Sequence, residues 1–170
     1  MVMRVDGATV LSRARPVRAR LSQARLGDIV SSLAAQPDGW REIVRFDAGR
    51  RWYKRLALAD DHEVWLLSWL PGQGTGFHDH GSAAGAFAVA QGQVRERTVA
   101  GRRPSVRDLT LGDGSVRSFG PRYVHDVTNA SAEPAVTVHA YSPPLTAMRR
   151  FELTASGLVH TGTEQSEQDW

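Results

Sequence analysis

The chain has no cysteine in its 170 residues. Disulfides, thiolate metal sites and cysteine nucleophiles are thereby excluded. Lysine is almost absent too. Lys54 is the sole one, every other basic side chain is arginine, and the formal net charge is only +3. The densest basic run, Ser12 to Arg25, carries no aromatic residue and so lacks the stacking platform that single-stranded nucleic acid needs. No apolar run is long enough to cross a membrane, and the N-terminal segment has no apolar core of the secretory type. That segment is arginine-rich and acid-poor, a composition shared with transit peptides, but a solvated arm is the simpler reading. A cytoplasmic protein with no nucleic-acid or membrane partner is expected.

The hydrophobic fraction of 41% is ordinary for a globular chain, and the length suits one domain with a sizeable core. Three parts are expected: a flexible arginine-rich arm over 1–20, a single domain over 21–160, and a polar tail over 161–170. Leu21, Leu26, Ile29, Val30 and Leu33 recur at helical spacing until Gln36-Pro37 interrupts them, which predicts a helix. Short strand-like segments follow: R-E-I-V-R-F, R-W-Y-K-R-L, E-V-W-L-L-S-W-L, F-H-D-H, A-F-A-V-A, Q-V-R-E-R-T-V, V-T-V-H-A-Y and M-R-R-F-E-L. Many short strands separated by glycine and polar turns predict an all-β sandwich or barrel behind an N-terminal helix.

Two histidines, His78 and His80, lie one residue apart in P-G-Q-G-T-G-F-H-D-H-G, and His125 follows in Y-V-H-D-V-T-N. On a strand, alternate side chains share a face, so His78 and His80 point together while Asp79 points away. Three imidazoles suit iron, copper, nickel or zinc, and they leave coordination positions open for a substrate. With a divalent metal, such a neutral set keeps positive charge that an anionic ligand such as a thiolate would neutralise. His62 and His160 sit in polar surroundings and read as surface residues. In T-V-H-A-Y, the side chains of Thr137, His139 and Tyr141 alternate onto one face, where a hydroxyl, an imidazole and a phenol can form a chain of hydrogen bonds.

Gly72, His78, His80 and Gly92 match the first motif of the cupin superfamily, and Gly114, His125 and Asn129 match its second. The glutamate ligand usual in the first motif is replaced by Ala84 and Gly85. The run H-D-V-T-N-A-S-A-E-P-A-V-T-V-H-A-Y-S-P-P from His125, together with Y-K-R at Tyr53 to Arg55, resembles the cysteine dioxygenase family within the cupins. This resemblance implies a cupin jelly roll and Fe(II) on His78, His80 and His125. It also implies that Tyr141 points its hydroxyl at the bound substrate, that His139 holds the phenol, and that Thr137 stands where the family has a serine. By the same resemblance Arg55 grips the substrate carboxylate, helped by Tyr53; a guanidinium fork matches a carboxylate in two parallel bonds.

Some members of that family crosslink a cysteine to the active-site tyrosine, at the position of Gly85 here, so in this chain Tyr141 is expected as a free phenol. The resemblance also implies a cis bond at Ser142-Pro143. The implied substrates are a small thiol and dioxygen, the implied product is cysteine sulfinic acid, and a monomer or weak homo-oligomer is expected. Arg55 favours cysteine over 3-mercaptopropionate, since relatives acting on the latter tend to carry glutamine there. Other readings of the same residues are a dioxygenase for another thiol such as 3-mercaptopropionate or cysteamine, a zinc or nickel hydrolase or isomerase, and a ligand sensor without turnover.

Overall fold

The computed structural model describes residues 20–100 and 105–165. The arm expected over 1–20 lies outside these residues except for Arg20. Helix α1 (Gln23–Ala34) begins where the Ser22 hydroxyl accepts the backbone N–H of Arg25. It ends just before Pro37, which opens a single 3-10 turn. Leu26, Val30 and Ala34, spaced four apart, form its buried stripe.

Eleven strands follow among the described residues. They are β1 (Tyr53–Leu58), β2 (Glu63–Trp69), β3 (Phe77–His78), β4 (Ala84–Gln91), β5 (Gln93–Ala100), β6 (Ser105–Gly112), β7 (Val116–Phe119), β8 (His125–Thr128), β9 (Ala135–Ser142), β10 (Ala147–Thr154) and β11 (Gly157–Gln165). They pair antiparallel in two sheets, β1-β2-β9-β4-β7 and β11-β10-β3-β8-β5-β6. This is the all-β architecture expected from the strand pattern, in the jelly-roll form that the resemblance implies. Gly92 makes the β4–β5 turn at φ 77°, and a Cβ there would come within 2.7 Å of the Pro134 carbonyl oxygen.

The central strands of the five-stranded sheet are buried on both faces, which explains why β2 and β9 read as unbroken buried runs, while the outer strands β1 and β7 are largely exposed. Val64, Leu66, Val136, Val138 and Ala140 pack with Leu26, Val30 and Trp40 on the helix side. Small residues on that side, Ala86, Ala88 and Ala140, let α1 lie close to the sheet. On the other side Trp65, Leu67, Trp69, Phe87, Val89 and Phe119 form the core between the sheets. Each fully buried aliphatic or aromatic side chain contributes roughly 1.5–3 kcal/mol to the fold.

Three expectations are corrected. R-E-I-V-R-F is not a strand: residues 41–46 form turns and irregular chain, with Ile43 and Val44 packed against the α1 cluster. The F-H-D-H strand stops at His78, because the Asp79 carboxylate accepts the Gly81 N–H and Gly81 turns the chain at φ 59°. Residues 161–165 are not a tail but the end of β11, an exposed edge strand paired with β10. Its polar composition reflects exposure, and an edge strand needs no apolar alternation.

Candidate metal centre and cavity

His78 on β3 and His125 on β8 are direct cross-strand partners, so their side chains rise from the same face of the six-stranded sheet. His80 comes from the turn that Asp79 and Gly81 build after β3. The three rings have centroids 4.8, 4.8 and 5.2 Å apart, and their ligating nitrogens lie within 4.8 Å of one another. All three are buried. Burial, reinforced by the neighbouring histidines, holds His78 and His80 well below the usual imidazole range, so they are neutral at ordinary pH and their nitrogen lone pairs are free.

The outward nitrogens are held unequally. His78 Nδ1–H donates to the Gly76 carbonyl at 3.0 Å, and His125 Nδ1–H donates to the Glu96 carboxylate at 2.8 Å. Both assignments leave Nε2 as the ligating atom. Neither ring nitrogen of His80 has a protein partner, although both are buried. A metal ion fits this set: it would satisfy the orphaned nitrogen of His80 together with the two aimed Nε2 atoms.

Thr137, His139 and Tyr141 share the inner face of β9, as expected. Trp69 Nε1–H donates to Thr137 Oγ1 at 2.9 Å, Thr137 Oγ1 meets His139 Nε2 at 2.8 Å, and His139 Nδ1 meets the Tyr141 hydroxyl at 3.2 Å. Indole is only a donor, so we assign the threonine hydrogen to His139 Nε2 and the imidazole hydrogen to Nδ1, facing the tyrosine oxygen. That order leaves the Tyr141 hydrogen available to the cavity. Burial, then His125 and Arg51, keeps His139 well below the usual imidazole range, and burial pushes the Tyr141 phenol far up, so both are neutral. The Tyr141 ring lies 4.7 Å from that of His80.

Gly85 sits opposite Tyr141 across β4–β9. A Cβ at Gly85 would fall 2.5 Å from the Phe119 ring and 2.9 Å from Tyr141. The Phe119 ring, stacked on His80 at 5.1 Å, already fills the space a crosslinking side chain would need. The Ser142–Pro143 bond is cis, and the Ser142 hydroxyl donates to the Asp61 carbonyl.

His78 and His125 line a cavity together with Tyr53, Trp65, His139, Tyr141, Arg51 and Arg150, among others, and His80 lies behind them against the Tyr141 ring. Tyr53 lines this cavity. Arg55 is not brought to the cavity. It shares the strand face of Tyr53 but pairs with Trp65 in register, lies over the Trp65 ring at 5.4 Å, and sits 3.9 Å from the buried carboxylate of Glu63 with its side chain 40% exposed. The parity of the expectation holds and its direction fails: one step of about 7 Å along the strand leads out of the cavity, and the opposite step leads to Arg51. The Arg51 guanidinium lies over the Trp69 ring at 5.0 Å, and its buried Nε has no partner. Burial lowers its pKa, and an anion beside it would offset that cost. Arg150, the other cavity arginine, is occupied by Glu164 and the Thr75 carbonyl.

Sequence reasoning also missed Glu96. It carried one signal: Glu96 shares strand parity with buried Val94, so a carboxylate stands on the inward face of β5. His62 pairs with Asp61, and His160 is exposed; neither approaches the centre. Asn129, in the second motif, serves the backbone, donating to the Trp69 and Glu133 carbonyls.

A family model described as Cysteine dioxygenase type I matches residues 17–154. Among curated proteins, the chain is similar to Cysteine dioxygenase type 1 of Danio rerio, at 26% identity over 137 residues, covering 74% of this chain and 67% of that protein. It is 27% identical to the Homo sapiens protein of the same name over 135 residues, covering 73% and 66%. The match thus spans about two thirds of the length of these relatives. Among solved structures, an uncharacterized conserved protein with a double-stranded beta-helix domain from Klebsiella pneumoniae aligns with a TM-score of 0.54 at 20% identity, covering 75% of this chain and 88% of the other. A cupin superfamily protein from Desulfitobacterium hafniense aligns with a TM-score of 0.51 at 12% identity, covering 61% and 86%. These two likenesses concern the fold alone.

Proposed function

Since this chain belongs to the cysteine dioxygenase type I family, an oxidoreductase family of the dioxygenase class, we propose that it oxidises L-cysteine with dioxygen to cysteine sulfinic acid, using Fe(II) held by His78, His80 and His125. Both oxygen atoms of O2 end on the sulfur, so no further reductant is required. Fe(II), when bound, supplies the one-electron chemistry by which dioxygen and a thiolate react.

The chain's own residues bind and orient. Arg51 takes the substrate carboxylate through its unpartnered Nε, the role expected of Arg55. Trp65, whose buried indole N–H also has no acceptor, and Tyr53 line the same wall. In the same cavity, the Tyr141 hydroxyl, backed by His139 and Thr137, presents a neutral donor to the reacting end of the substrate. Leu67, Leu145 and Met148 line the apolar wall and exclude water from the thiol. Fixing both ends of the substrate is the principal protein contribution. A cytoplasmic monomer or weak homo-oligomer, with no nucleic-acid or membrane partner, completes this reading. No described helix is long and apolar enough to cross a membrane.

The observation that carries the proposal is a single cavity lined by two members of the buried three-histidine group, His78 and His125, by Arg51 with its unpartnered Nε, and by the Tyr141 relay. Arg51 speaks against cysteamine, which has no carboxylate to offer it. The test is oxygen uptake, with sulfinate quantified, by protein reconstituted anaerobically with Fe(II) and given L-cysteine, 3-mercaptopropionate or cysteamine. One cysteine sulfinate per O2 is expected. Preference for 3-mercaptopropionate would reassign the substrate, and no uptake with iron verifiably bound would overturn the oxygenase reading.

A further inference from the structure

The first cupin motif usually brings a carboxylate to the metal, and here Ala84 and Gly85 stand in its place. A carboxylate is nevertheless present one group further out. Glu96 on β5 is 1% exposed, and its Oε1 lies 2.8 Å from His125 Nδ1. Of the three ligand histidines, His125 alone is backed by a charge: His78 has a carbonyl behind it, and His80 has no protein partner.

We propose that Glu96 is the positioning residue that sets the charge of the metal centre, supplying through His125 the negative charge that the replaced ligand carboxylate would have supplied directly. This inference rests on the metal-binding reading of the three histidines. A carboxylate accepting Nδ1–H fixes the tautomer and makes Nε2 a stronger donor to a cation. The two oxygens of Glu96 are divided in a way that serves this role. Oε2 takes the Arg117 Nε–H at 2.8 Å, while Oε1 faces His125 and is shared only with the Tyr123 hydroxyl at 3.3 Å. Both oxygens of the carboxylate thus accept from N–H donors, one of them a guanidinium, the pairing that suits an anion.

A rival role exists. Arg117 lies on β7 in one sheet and Glu96 on β5 in the other, so the pair could act solely as a clamp between sheets. Metal affinity separates the two roles. For the full chain stripped of metal, the dissociation constant for Zn(II) and Co(II) is measured by chelator competition, alongside the melting temperature of the metal-free form. E96Q keeps the volume and an acceptor but loses the charge, and it is expected to weaken both metals about 10- to 100-fold. R117M removes the clamp and leaves the whole carboxylate charge to His125, so it is expected to bind metal at least as tightly as wild type. Equal wild-type affinity in E96Q, with metal-free melting lowered alike in E96Q and R117M, would overturn the proposal in favour of the clamp. Should E96Q fail to fold, R117M decides: tight binding supports the proposal, and binding weaker than wild type overturns it. Absence of metal binding by the wild type would instead remove the reading beneath it.

Discussion

Along β9, Val136, Val138 and Ala140 face α1, while Thr137, His139 and Tyr141 face the space between the sheets. The two rows alternate along one eight-residue strand, and both are buried. Their difference lies in how burial is made tolerable. The outer row holds no polar side-chain atom and is stabilised by contact. The inner row holds three polar groups, each linked to the next and closed at one end by Trp69. Removing a link there exposes another group to an unsatisfied state, whereas a change in the outer row alters only volume.

That contrast can be broken from either side. On the inner row, Tyr141→Phe is expected to retain iron, measured by metal analysis, while reducing cysteine oxidation roughly a hundredfold. A rate equal to wild type would remove the phenol from the chemistry. Next in size is a pair of arginines, Arg51 lining the cavity and Arg55 outside it. Arg51→Ala is expected to raise KM for cysteine about 10- to 100-fold, the loss of one charged hydrogen bond, while Arg55→Ala leaves KM within about twofold. The reverse outcome would restore Arg55 to the substrate. On the outer row, Ala140→Leu is expected to cost about 1–3 kcal/mol in urea unfolding with kcat unchanged, because overpacking against α1 does not reach the cavity.

The smallest effect sharpens the comparison through pH. His78, His80 and His139 all have folded pKa values depressed below 6.5, chiefly by burial. The unfolded chain therefore binds protons first as pH falls through about 6.5, and stability drops below that value while changing little above it. The slope for the metal-free protein reaches about 1.4 kcal/mol per pH unit for each histidine. A pH series of unfolding curves checks it: His139→Gln is expected to flatten the slope, and Val138→Ala to shift every curve without changing it.

What the sequence disclosed follows from local periodicity. The period of two in T-V-H-A-Y placed three side chains on one face, and the helical spacing of Leu26 and Val30 placed α1. The ligand histidines were legible for a different reason, since cross-strand neighbours His78 and His125 announce themselves by residue type. Arg51 was not legible, and Glu96 only as an inward-facing carboxylate by its parity with Val94, because the role of each depends on where its segment lies relative to the metal centre and cavity. Arg55 and Arg51 have the same parity, yet only Arg51, two residues before β1 begins, lines the cavity. The end of β3 was hidden similarly. Asp79 looked like an outward strand residue, yet its carboxylate closes the turn that carries His80.

Arg150 donates to both carboxylate oxygens of Glu164 and to the Thr75 carbonyl. Glu164 lies on β11, far along the chain from any residue of the metal centre. Through that edge strand the last described residues determine the ionic valence of the chamber. With β11 in place, Glu164 bonds Arg150 and also offsets part of the charge of Arg51, so a chain cut at residue 160 is expected to present both cavity guanidiniums without that counter-charge.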